Sequence, residues 1–195
     1  MPSPDDARLA TQDAAIPGLP LLFDPQAFGT RLSRSLGRTI NWCTCDYLRY
    51  KPATNCLAQF TVGIEGEAAQ LYVRAHSRDT EAKLSKFAAG STRSPATGRE
   101  RLVWSDVGVG IAFFPDDHRL PNLPRLLAPE SRNEVLSRVI EPPLGLDDTT
   151  LVTLAYKPER RYVCRLDGGD RPRAVLKLYS RESFAHVARS AKLIQ

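Results

Sequence analysis

Apolar and polar positions alternate most clearly in two stretches of the chain, and each stretch ends in a helical pattern. Leu151-Val-Thr-Leu-Ala-Tyr-Lys-Pro158 is apolar and β-branched and stops at a proline. Arg161-Tyr-Val-Cys-Arg-Leu166 follows, then the turn signal Asp167-Gly-Gly-Asp170, where glycine reaches positive φ without steric cost. Ala174-Val-Leu-Lys-Leu-Tyr179 is a third strand, apolar except for Lys177. Ser180 caps a helix whose apolar residues Phe184, Val187, Ala188 and Ala191 share one face.

The same order occurs earlier in the chain, and internal repeats outrank other sequence signals. Tyr47-Leu-Arg-Tyr-Lys-Pro52 matches the first stretch at its Tyr-Lys-Pro end. Cys56-Leu-Ala-Gln-Phe-Thr-Val62 is the second strand, and Gly63-Ile-Glu-Gly66 is the turn. Leu71-Tyr-Val-Arg-Ala-His-Ser-Arg78 stands opposite Ala174-Val-Leu-Lys-Leu-Tyr-Ser-Arg181, with a helix from Asp79 to Ala89 after it. In this register Arg74 falls where Lys177 falls. Arginine keeps the charge, but its planar fork is a different phosphate ligand from a compact ammonium.

Around the repeats, residues 1 to about 22 read as a loose arm rich in Pro, Ala and Asp. Pro25 to Leu36 reads as a short helix with Phe28, Leu32 and Leu36 on one face and Gly37 ending it. Gly90 to Arg101 is a loop, and Leu102 to Phe114 is β-like, supplying a fourth and fifth strand to the first sheet. Pro115 to Pro124 holds three prolines and is irregular. Ser131 and Glu134 have capping-box spacing ahead of an apolar stripe of Val135, Leu136, Val139 and Ile140. The expected division is an arm and short helix at 1–38, a first unit at 39–128, and a linker helix with a second, incomplete unit at 129–195.

A lone lysine in an apolar third strand, with a helix directly after it, is how a kinase small lobe holds nucleotide phosphates. Tyr156-Lys-Pro-Glu-Arg-Arg-Tyr-Val163 and Ala174-Val-Leu-Lys-Leu-Tyr179 together resemble the small lobe of the aminoglycoside phosphotransferase-like, protein-kinase-like family. The resemblance implies an α+β fold of two tandem small-lobe-like units, each an antiparallel sheet with a helix after the third strand. It implies that Lys177 binds nucleotide phosphates, that Arg160 and Arg161 close over them, and that Glu182 is the helix glutamate. Arg74 is the degenerate equivalent in the first unit. ATP and Mg2+ are the cofactors implied for a full-length parent.

The catalytic parts of that family are not legible here. The family's His-Gly-Asp loop, with an asparagine five residues after the aspartate, has no counterpart among the three histidines. Asp117 and Asn122 have that separation, but no histidine precedes them and Pro121 intervenes. The expectation is therefore an N-terminal piece of a kinase-like phosphotransferase without its large lobe, not catalytic alone. The parent would phosphorylate a small hydroxylated substrate. A large lobe or a partner chain would pack on the second unit. The alternatives are a non-catalytic protein–protein interaction or regulatory module, and a basic nucleic-acid-binding domain.

Composition narrows these choices only slightly. The 195 residues are 42% hydrophobic and 25% charged, as in ordinary globular proteins. A net charge of +5, mostly from scattered arginine, suits an anionic ligand or a plain solvated surface. Aromatic residues are not interleaved with the arginines, which argues against nucleic acid. No apolar run reaches bilayer length, and Met1-Pro-Ser-Pro-Asp-Asp6 lacks a signal pattern, so the expected location is cytoplasmic with reduced thiols. Cys43 and Cys45 would share one face of a strand, but the second ligand pair that zinc sites usually show is missing.

Overall fold

The computed structural model describes residues 2–78, 81–89, 101–139, 149–169 and 171–192. The chain is α+β and divides into two compact units, Met1–Phe114 and Pro115–Gln195. The division falls between the fifth strand and the proline-rich stretch, so the expected boundary after residue 128 lies inside the second unit. Residues 1–38, expected as an arm and a short helix, are likewise part of the first unit, with the short helix in place at Pro25–Leu36.

Three helices open that unit: α1 (Pro4–Gln12), α2 (Leu19–Phe23) and α3 (Pro25–Leu36). The cap of α1 is Ser3, whose hydroxyl accepts from the Asp6 amide. Asp24 caps α3 by accepting from the amides of Gln26 and Ala27, and Gly37 at φ 62° ends it. The segment expected to be a loose arm folds because its apolar residues have a sheet to cover. Ile16, Leu19, Leu22, Phe28 and Leu32 are all buried in one core.

The sheet beneath them is antiparallel, built from β1 (Ile40–Lys51), β2 (Asn55–Ile64), β3 (Glu67–His76), β4 (Leu102–Trp104) and β5 (Val109–Phe113), in the order β1-β2-β3-β5-β4. Residues alternate between its faces. Cys56, Ala58, Phe60, Val62, Leu71, Val73, Ala75, Val109, Ile111 and Phe113 point to the helix side. Phe28 of α3 stacks on Phe60, with ring centroids 4.2 Å apart. On the opposite face, Leu57, Tyr72 and Ala112 meet Phe87 of α4 (Glu81–Ala89). Gly110 permits that approach, since a Cβ there would lie 2.9 Å from the Phe87 ring.

The second unit repeats this plan as far as its third strand. Its helices are α5 (Leu123–Leu127) and α6 (Pro129–Ser137). A three-stranded antiparallel sheet follows, β6 (Thr149–Lys157), β7 (Arg161–Gly168) and β8 (Arg171–Tyr179), and then α7 (Arg181–Lys192). The expected capping box does not form. Ala128 occupies the N-cap of α6, while the Ser131 hydroxyl donates to the Arg125 carbonyl and Glu134 pairs with Arg125 and Arg138. Leu136 is buried but Val139 is exposed, and Ile140 lies outside the described residues.

The two ladders are in matching register. Lys51 faces Asn55 and Lys157 faces Arg161 across equivalent turns. Asn55 faces His76 and Arg161 faces Tyr179. Counting along the third strands from these pairs sets Arg74 against Lys177, the correspondence read from the sequence. The third residue of each turn, Ala53 or Glu159, has positive φ.

Candidate functional site

The features the two units share begin at one carboxylate in each, partly exposed in the first and buried in the second. Asp13 accepts hydrogen bonds from the Tyr50 hydroxyl at 2.7 Å and the Ala53 amide at 2.8 Å. Asp117 does the same, accepting from the Tyr156 hydroxyl at 2.9 Å and the Glu159 amide at 2.7 Å. One acidic side chain thus ties the start of each unit to its Tyr-Lys-Pro turn. The Tyr50 hydroxyl and the Ala53 amide hold the Asp13 carboxyl below its ordinary range. In return the Asp13 carboxylate, together with partial burial, pushes the Tyr50 phenol up to about 12.

The clamp has a signature in the amino-acid sequence that the Tyr-Lys-Pro repeat alone does not contain. Asp13-Ala-Ala-Ile-Pro-Gly-Leu-Pro-Leu-Leu22 and Asp117-His-Arg-Leu-Pro-Asn-Leu-Pro-Arg-Leu126 agree at Asp, both prolines and both of the leucines that enter the core. Their backbones agree too. Ile16 donates to the Asp13 carbonyl and Leu19 to the Ile16 carbonyl, and Leu120 and Leu123 do likewise in the second unit. The repeat therefore starts at Asp13 rather than at Thr39. Asp117 belongs to this clamp and Asn122 to the N-cap of α5, which accounts for their separation.

In the second unit the turn held by Asp117 borders a groove of about 400 Å³. Its lining includes Lys157, Arg160, Arg161, Tyr179, Glu182 and Ser183. The Arg160 amide donates to the Lys157 carbonyl, and the Ser180 amide donates to the Arg160 carbonyl at 2.8 Å, which joins the turn to the start of α7. Ser180 also caps α7 as expected, accepting from the Ser183 amide. In the first unit, Thr54 and Asn55 occupy the places of Arg160 and Arg161, so the basic lining belongs to the second copy.

The structure therefore brings Arg160, Arg161 and Glu182 together and leaves Lys177 outside the lining. Lys177 pairs with Val163, two cross-strand rows from that of Lys157, Arg161 and Tyr179, and its side chain is exposed on the same sheet face. Glu182 forms an ion pair with Arg119 at 3.3 Å. Arg74 lies opposite Gly110 in the first sheet.

The cysteines lie apart from the groove lining. Cys43 and Cys45 on β1 are half-buried against the helices, and Cys56 and Cys164 are buried. Burial pushes the Cys43 and Cys56 thiols up to about 12 and Cys164 to about 11, so they are held as thiols. Among the described residues no group of three or more His, Cys, Asp or Glu side chains is placed to hold a metal ion. Nor is any described helix long and apolar enough to cross a membrane. Compared with protein-family models, with curated proteins and with solved structures, the chain matches none.

Proposed function

We propose that this chain is a non-catalytic interaction module made of two copies of one folding unit, in which the second copy presents its sheet to a partner. The observation carrying this reading is the difference in exposure between equivalent elements. In the first unit Leu84 and Phe87 of α4 are buried against the sheet. In the second unit Phe184 and Val187 of α7 are 61% and 38% exposed, and Val152, Leu154 and Val175 are exposed on β6 and β8. Val152 and Val175 flank Arg165 in one cross-strand row, and apolar surface placed side by side in this way marks contact with another molecule. Titration calorimetry of the full chain with Mg-ATP tests the reading: no heat is expected. Binding tighter than about 1 mM that is lost in Lys177→Ala would overturn it.

A second reading is favoured by the basic groove. Lys157, Arg160 and Arg161 converge on one concave surface, and arginine forks suit phosphate oxygens. The proposal is that the groove receives nucleotide phosphates, as in the small lobe of a kinase-like phosphotransferase. Mg2+ and the catalytic groups would be supplied by other parts of a longer parent. For this reading, an Arg160→Ala, Arg161→Ala double variant should abolish ATP binding that the unaltered chain shows. Nucleic acid fits less well, because the groove lining includes a single aromatic, Tyr179, and aromatics are not interleaved with the arginines.

A further inference from the structure

Resting on the interaction-module reading, we propose that the outer edge of β8 is a strand-addition site, and that its occupant is an extended segment alternating apolar residues with carboxylates. The first unit shows what such an edge is built to take. Along β3, Leu71, Val73 and Ala75 pair with Phe113, Ile111 and Val109 of β5, and all six are buried. The equivalent β8 positions are Ala174, Leu176 and Leu178. They point to the buried face of their own sheet, since they sit across from Leu166, Cys164 and Tyr162. Yet β8 is the last strand of its sheet among the described residues, and these three are only half-buried. An incoming strand with large apolar residues at alternate positions would extend that core as β5 extends the first one.

The other face of the sheet sets the remaining positions of the occupant. Lys157, Arg161, Arg165 and Lys177 project there, and the carboxylates nearby are already engaged, Asp167 by Arg165 at 2.7 Å and Glu182 of α7 by Arg119 at 3.3 Å. Lys177 makes no ion pair among the described residues. A strand beside β8 places every second residue on this face, and carboxylates there are opposite or diagonal to Lys177. A second copy of the chain fits less well, because edge-to-edge pairing of two β8 strands would merge two cationic faces into one.

The test uses the full chain, labelled for NMR, and a capped peptide Val-Glu-Ile-Glu-Phe-Glu-Val as the probe. Binding should shift the amide signals of residues 174–178 and slow their hydrogen exchange. Replacing the glutamates by lysine should weaken binding about tenfold or more, and Lys177→Glu should reverse that preference. Lys177 is exposed, so an unchanged circular dichroism spectrum will show that the variant folds. Equal binding of both peptides, or shifts confined to other strands, would overturn the site. A concentration-dependent dimer that protects β8 without peptide would overturn the occupant in favour of a second copy. Failure of the peptide with Mg-ATP also silent removes this proposal alone. Lys177-dependent ATP binding removes the module reading itself.

Discussion

The two units spend nearly the same pattern on different interiors. Ile16, Leu19, Leu22 and Leu32 are buried in the first, and Leu120, Leu123, Leu126 and Leu136 take their places, equally buried, in the second. The difference is concentrated on the helix that comes last before each sheet, α3 and α6. Aligned from Pro25 and Pro129, Phe28 corresponds to Arg132. Phe28 fills a five-stranded core between Phe60 and Trp104, at 4.2 and 5.4 Å between ring centroids. Arg132 instead donates to the carbonyls of Leu127 and Thr149, both at 3.2 Å. An aromatic ring needs a closed apolar box, and β4 with β5 helps provide one by contributing Trp104 and Ile111. Over three strands, a guanidinium that satisfies backbone carbonyls serves where no such box exists.

This contrast can be broken from either side, and the largest effect is expected at Phe28. Phe28→Ala should cost about 3–5 kcal/mol, whereas Arg132→Ala should cost about 1–3 kcal/mol from the two carbonyls left unmet. Both tryptophans, Trp42 and Trp104, lie in the first unit. Tryptophan emission during urea unfolding should therefore shift its midpoint for Phe28→Ala and leave it unchanged for Arg132→Ala. Circular dichroism should register both. A change in tryptophan midpoint with Arg132→Ala would mean the units do not unfold independently.

The two clamps are the next comparison. Asp117 is buried with Tyr156 and Glu159, while Asp13 is partly exposed. Asp117→Ala should cost about 2–3 kcal/mol, because a buried hydroxyl and a buried amide lose their acceptor. Asp13→Ala should cost about 1 kcal/mol, since water can replace the carboxylate. Equal losses in thermal unfolding would show that exposure does not separate them.

A smaller effect follows from the titration of the first clamp. The Tyr50 phenol is raised from 10.0 to about 12, so its contribution is complete below pH 10 and is lost as pH rises toward 12. The Asp13 carboxyl is lowered from 3.8, so its contribution is complete above that value and is lost as pH falls through the lower folded value. Tyr50→Phe should remove the alkaline part of this dependence in a stability profile measured by tryptophan emission. A profile unchanged between pH 10 and 12 would contradict the clamp. Smallest of all is Asp5→Ala. Its ion pair with Arg8 is exposed on both sides, and the loss should stay below about 0.5 kcal/mol in the same urea titration.

Much of this organisation is legible along the chain. Alternation marks the strands β7 and β8, because one face of each is turned toward the core of its unit and the other is more exposed. The Tyr-Lys-Pro pairs predict the turns, and the Arg74–Lys177 correspondence holds because strand pairing has a period of two, so the register carries over from turn to strand end. The helix α3 is legible from its apolar face and its closing Gly37, whereas α1 and α2 are not. Proline-rich, weakly periodic segments such as residues 13–25 become ordered through burial of leucines against a sheet that is distant in sequence.

By itself, the sequence determined that the molecule is written twice, where its strands turn, and which third strand carries a lysine. The tertiary structure alone decided that Asp13 and Asp117 are clamps, that Glu182 pairs with Arg119, and that Lys177 stands beside a basic groove rather than within its lining. Those outcomes depend on which side chains meet across long separations. Local pattern records only the face a residue occupies, not the partner it finds there.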